Sequence, residues 1–130
     1  MEFFKHLKET EESKKYNEKS EFGRTWRMFE KINLSNNSTD FLYLSIQASS
    51  AHYCRPRTTM ENLSDYTHME FALMDENQEF VTIPEVCPEF SSLAEMQTYC
   101  DGSIYAYVPV DLIEELFQYY VLKRSERTYD

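Results

Sequence analysis

The segment His52-Tyr53-Cys54-Arg55-Pro56-Arg57 gathers the side chains best suited to covalent chemistry. A cysteine beside a histidine invites a nucleophile reading, with Arg55 and Arg57 lowering the thiol pKa or holding an oxyanion. On an extended segment, however, a spacing of two puts His52 and Cys54 on one side without aligning them, and no third orienting group can be named. A small Cys/His enzyme is therefore the alternative. The main expectation is that Arg55 and Arg57 form salt bridges to the acidic half of the chain and that this loop braces the fold. Zinc would need four of His52, Cys54, His68, Cys87 and Cys100, whose spacings match no knuckle. Carboxylate-held magnesium in a nuclease would want a cation for the scissile phosphate, and from Thr58 to Leu122 there is no Lys or Arg. P-loop, GxSxG, GxGxxG and HExxH sequences are also missing, so neither metal nor cofactor is expected.

What the stretch from Thr58 to Leu122 does hold is 13 carboxylates in 65 residues. Residues 1–65 carry ten acids against ten bases and residues 66–130 thirteen against three, so the whole net charge of -10 sits in the second half. Asp75, Glu76, Glu79, Glu85, Glu89, Glu95 and Asp101 fall in loops or beside turns, which makes them the candidate partner-binding residues. Carboxylates accept bidentate hydrogen bonds from arginine much as phosphates do. A one-sided negative field attracts basic proteins and repels nucleic acid and anionic membranes. A merely solubilising surface is the plainer alternative, but such surfaces normally mix in lysine. Tyr43, Tyr53, Tyr66, Tyr99, Tyr105, Tyr107, Tyr119 and Tyr120 are too many for one small core to bury with every hydroxyl satisfied, so several should lie at the surface, where tyrosine suits an interface.

The elements that must position these groups follow from pattern. Phe3 to Ser20 reads as a polar amino-terminal helix or lead-in, anchored by Phe3, Phe4 and Leu7, with Glu11 and Lys15 at i, i+4 spacing and a break at Gly23. This divides the chain into residues 1–22 and a single domain over 23–130. From Arg24 to Leu34, Trp26, Met28, Ile32 and Leu34 alternate with polar residues around a bulge at Phe29; residues 35–40 turn, and Phe41 to Ala48 returns as the second strand of a hairpin. His68 to Met74 and Glu79 to Ile83 form a second hairpin about Asp75-Glu76-Asn77-Gln78. A short helix from Ser91 to Tyr99, capped by Ser91 or Ser92, precedes an Asp101-Gly102 turn and a strand from Ser103 to Val108. The last helix opens on a capping box, Asp111 with Glu114, and runs its stripe of Leu112, Ile113, Leu116, Phe117 and Tyr120 down to Lys123 and Arg124. The fold class is α+β, a mainly antiparallel sheet of about five strands with the carboxy-terminal helix packed on one face. At 130 residues and 42% hydrophobic the chain can bury a real core. The absence of an apolar run or signal-like amino terminus, together with three cysteines outside any CxxC pair, points to a reducing, cytoplasmic setting.

Small, acidic, Gly-poor and Tyr-rich, the chain resembles the acidic inhibitors encoded by phages and mobile elements, including anti-CRISPR proteins and other DNA mimics, in composition and in the charge layout of residues 58–122. The resemblance implies a non-enzymatic inhibitor that binds the basic nucleic-acid-binding surface of a host defence protein or ribonucleoprotein complex. Such an inhibitor keeps DNA or RNA out by occlusion, in the cytoplasm of the host cell and without turnover. Residues 1–57 depart from that pattern because they are not acidic overall; the amino-terminal helix would then touch a second patch on the partner or support a homodimer. An immunity protein for a basic nuclease toxin would use the same acids against a smaller target, and a viral assembly protein is a third class.

Overall fold

Seven residues, His68–Met74, form the central strand β3, which pairs with strands on both sides. The computed structural model describes residues 1–19, 26–33 and 42–129, with side chains as far as residue 120. The other strands are β1 (Ile32–Asn33), β2 (Tyr43–Gln47), β4 (Phe80–Val81), β5 (Cys100–Asp101) and β6 (Ile104–Pro109). They pair antiparallel in the order β1-β2-β3-β6-β5, while β4 pairs with the carboxy-terminal end of β3. Helices are α1 (Glu11–Lys19), α2 (Ile83–Val86), α3 (Leu93–Gln97) and α4 (Val110–Tyr129), with 3-10 turns at Glu2–His6 and Leu63–Asp65. The protein is α+β, as its sequence pattern indicates.

Period-two alternation explains the core. The cross-strand partners Leu44↔Leu73, Ile46↔Phe71, Met69↔Val108 and Phe71↔Tyr105 turn one face inward, and the Phe71 and Tyr105 rings stack at 4.6 Å. Leu112, Ile113, Leu116 and Phe117 of α4 complete this core. Each such side chain contributes roughly 1.5–3 kcal/mol by leaving water. Phe3 is fully buried in the same cluster, and its backbone N–H donates to Glu114 Oε1 at 3.0 Å, which ties the amino terminus to α4. The amino-terminal region is accordingly two pieces, a 3-10 turn and α1, instead of one helix. On α1 the ion pair is Lys14 with Glu11, at i, i+3.

Several local expectations need correction. Beyond β1 the inward residues are Arg27 and Phe29, whereas Met28 is exposed and Trp26 half-buried, so the alternation has the opposite phase. The strand leaves β2 because Gln47 fills the gap: its side-chain amide accepts from the Phe29 N–H at 2.8 Å and donates to the Phe29 carbonyl at 2.9 Å. Residues 28–30 instead exchange backbone hydrogen bonds with Lys8 and Thr10. The turn expected at 35–40, and the proposed ends of its two strands at residues 24–25, 34 and 41, lie outside the described residues. β4 stops at Val81 because Thr82 caps α2 in a box with Glu85, with proline in the first turn, so Ile83 is helical and buried. The helix placed at Ser91 to Tyr99 is shorter, Leu93–Gln97, and the side chain of its N-cap Ser92 caps nothing, bonding Glu115 instead. Asp111 lies inside the first turn of α4, which begins at Val110, and Glu114 accepts from Phe3 and Gln118, so no capping box forms there. Because α4 continues to Tyr129, Lys123 and Arg124 are not in its last turn.

Candidate functional site

The β3 to β4 connection folds into a tight loop. Asp75 N–H donates to the Glu79 carbonyl, Gln78 N–H donates to the Asp75 carbonyl, and Gln78 adopts a positive φ of 62°. Asp75 Oδ1 accepts from the N–H groups of Asn77 and Glu79, so this carboxylate builds the loop, while Glu76 and Glu79 extend exposed from it. Asp101 is exposed at the β5–β6 turn, where Gly102 supplies the positive φ that a two-residue hairpin loop requires. Since β6 runs antiparallel to β3, with Tyr105 opposite Phe71, this turn points the same way as the carboxy-terminal end of β3. Both acidic turns therefore crown one end of the sheet. Lys31 lies beside the β3–β4 loop, its Nζ donating to Gln78 Oε1, at a shallow notch of about 260 Å³ lined by Glu30, Lys31, Tyr43 and Gln78.

The other candidate carboxylates lie in α2 (Glu85), in α3 (Glu95) and between them (Glu89), and some have local work. Glu85 accepts from Thr82, Glu89 accepts from the Tyr119 hydroxyl at 2.7 Å, and Glu95 is exposed in the first turn of α3. The seven acids thus divide into Asp75, Glu76, Glu79 and Asp101 at the sheet end, and Glu85, Glu89 and Glu95 on the α2–α3 segment, where Glu89 meets α4. Among the described residues, Glu76, Glu79, Glu85, Glu95 and Asp101 lie in no ion pair.

Arg55 and Arg57 do not bridge to that acidic half, contrary to expectation. The Arg55 guanidinium lies over the Tyr107 ring and that of Arg57 over the Tyr53 ring, each at 5.1 Å, and the two rings are 5.6 Å apart. Neither guanidinium pairs with a carboxylate among the described residues. Backbone geometry places this ladder at the opposite end of β3: Arg55 N–H donates to the His68 carbonyl, and Tyr107 N–H donates to the Tyr53 carbonyl. Tyr107 occupies a β-bulge, because two residues of β6 between Tyr105 and Val108 face one residue of β3, and its φ is 54°. A tyrosine held in the left-handed region is strained, and the ladder is what that strain positions.

The loop is held from beneath by Tyr66, whose buried hydroxyl donates to the Thr58 carbonyl at 2.6 Å and accepts from Met60 N–H at 2.8 Å. It also accepts from Arg27, only 3% exposed, whose guanidinium donates to the carbonyls of Met60 and Ala48. Sequence patterning missed this buried arginine and the bulged Tyr107; the even spacing of Tyr105 and Tyr107 reads as a regular strand.

His52 and Cys54 are both buried, and they do not address each other. His52 Nδ1 shares a 2.7 Å hydrogen bond with Ser49 Oγ, and the Cys54 thiol donates to the carbonyls of Ser49 and Pro56. Burial holds the imidazole below the usual histidine range and pushes the thiol up, the reverse of an activated pair. Among the described residues no cluster of His, Cys, Asp or Glu is arranged to hold a metal ion, and no helix is long and apolar enough to cross a membrane. Of the tyrosines with described side chains, Tyr16 and Tyr53 are exposed, Tyr66 and Tyr105 are buried, and Tyr43, Tyr99, Tyr107, Tyr119 and Tyr120 are half-buried. No protein-family model matches the chain, and no curated protein or solved structure matches it either.

Proposed function

We propose that the protein is a non-enzymatic acidic binding protein that occupies the basic nucleic-acid-binding surface of a partner, as a DNA-mimic inhibitor does. The observation that carries this reading is the pair of acidic turns at one end of the sheet, with Glu76, Glu79 and Asp101 exposed and outside any ion pair among the described residues. Unneutralised carboxylates on hairpin turns are spaced by the strands behind them, so they meet an arginine-lined groove with little ordering cost. The buried, mutually indifferent His52 and Cys54 lend no support to the enzyme alternative.

The test is fluorescence anisotropy with an arginine-rich peptide taken from a nucleic-acid-binding protein. Binding is expected to weaken steadily with salt, to be lost on Glu76→Lys, Glu79→Lys and Asp101→Lys together, and to be displaced by duplex DNA. Indifference to the three reversals, or a direct gel shift of DNA or RNA by the protein, overturns the reading.

A further inference from the structure

The cationic ladder and the acidic turn stand at opposite ends of one strand, roughly 20 Å apart for seven extended residues. We infer that they are complementary: the Arg55–Tyr107–Tyr53–Arg57 surface receives the Glu76 and Glu79 loop of a second copy, so the protein self-associates head to tail. This rests on the charge layout and on the exposed aromatic rings at the two ends, and it does not depend on the partner proposed above.

The first argument is preorganisation. Each guanidinium is stacked on a ring and lies in no ion pair among the described residues, the nearby Glu70 carboxylate being taken by the Tyr53 N–H, and both arginines are exposed. Such edges take a carboxylate in a bidentate manner. The second argument is apolar matching at both ends. Tyr53 is 40% exposed within the ladder, and Phe80, one residue past the acidic loop, is 52% exposed, so aromatic area lies beside the charges on each side of the joint. The joint uses two different patches, which makes it heterologous and open to extension.

Net charge decides when the joint holds. Two copies at -10 each repel, but at about 0.15 M salt the Debye length is roughly 8 Å, less than half the distance between the two ends of β3, so the contact charges dominate. At about 0.01 M the length is roughly 30 Å and the whole-molecule repulsion prevails; at about 1 M it is roughly 3 Å and the pair itself is screened. Self-association is therefore strongest at intermediate salt, whereas binding of an anionic protein to a cationic partner weakens steadily as salt rises.

Sedimentation velocity over these three salt concentrations tests the inference, with protein raised to about 500 µM to capture a small, weak interface. The mean sedimentation coefficient is expected to climb with concentration at intermediate salt only. Arg55→Ala with Arg57→Ala removes one half of the joint and Glu76→Gln with Glu79→Gln the other, leaving Asp75 to build its loop; each variant alone stays monomeric. Mixed, they form a 1:1 dimer that grows no further, because one supplies an intact ladder and the other an intact loop. That rescue also shows both variants to be folded. A wild-type protein monomeric at every salt concentration, association unaffected by either variant, or a mixture that stays monomeric overturns the inference. The arginine variant leaves the acidic turns intact, so it should bind the arginine-rich peptide normally, and failure of the two readings can be told apart.

Discussion

Replacing Tyr66 by Phe removes one oxygen atom from a buried junction. The hydroxyl donates to Thr58 O and accepts from Met60 N–H and from the Arg27 guanidinium. Thr58 is exposed, so water can take over its carbonyl at little cost. The Met60 N–H is partly buried and stands to lose about 1 kcal/mol, and the Arg27 N–H, as a charged donor in a buried site, about 1.5–3 kcal/mol. The sum is about 3 kcal/mol, a large share of the roughly 5–15 kcal/mol that holds a domain of this kind. With a urea m-value of about 1.5 kcal/mol per molar, the unfolding midpoint should fall by about 2 M with m unchanged. Urea titration followed by tryptophan fluorescence and by far-UV circular dichroism measures it, with Tyr43→Phe as the neutral control. A loss below about 1 kcal/mol would show that the junction is not what holds the 48–60 loop, and the argument that this loop is preorganised would fall with it.

Tyr105→Phe should cost about 1–2 kcal/mol in the same assay, since its hydroxyl accepts from Ile83 N–H at 3.0 Å and donates to Gln97 at 2.7 Å. Tyr120→Phe should cost nothing or stabilise, because its buried hydroxyl lies near Cys87, Tyr119 and Glu89 but is left without a well-formed hydrogen bond among the described residues. Burial pushes the Tyr105 phenol up to about 12; stability is thus intact below the unfolded value near 10 and falls as pH rises from there through about 12, by up to about 3 kcal/mol, a loss that Tyr105→Phe should lack. Burial lowers the His52 pKa, so the unfolded chain binds its proton first: stability should be level above about 6.5 and decline as pH falls through the folded value, less steeply in His52→Asn. Gln78→Gly should stabilise by about 0.5–1 kcal/mol by relieving a positive φ, measured as a rise in melting temperature.

β3 was legible to the residue because the apolar stretch His68 to Met74 is followed at once by a turn-forming sequence. The antiparallel pairing of Ile32 and Asn33 with β2 was legible as well, but segment 26–31 was not, since its inward positions include an arginine that collects carbonyls, and no hydropathy pattern places a charge there. The exposure of Glu76, Glu79 and Asp101 follows from turn composition alone. Their grouping needed the strand order, which only the sheet register supplies. Charge arithmetic paired Arg55 and Arg57 with the acids; the chain folds so that a full strand length separates them from the acidic turns, while nearby Glu70 is taken by the Tyr53 N–H and the guanidinium groups lie on tyrosine faces. Tyr107 adopts the conformation that usually signals glycine, so nothing in its neighbours announced the bulge.

The amide of Gln47 imitates a peptide group. By satisfying both polar atoms of Phe29, it releases the chain from β2 and delivers it to Lys8–Thr10, whose backbone then covers what would have been a bare margin. Uncovered margins of this kind template the addition of foreign strands and lead to fibrils. The opening ten residues therefore cover that margin as well as anchor the chain, and a protease that trims them would bare the margin and strip Phe3 from the core in the same cut.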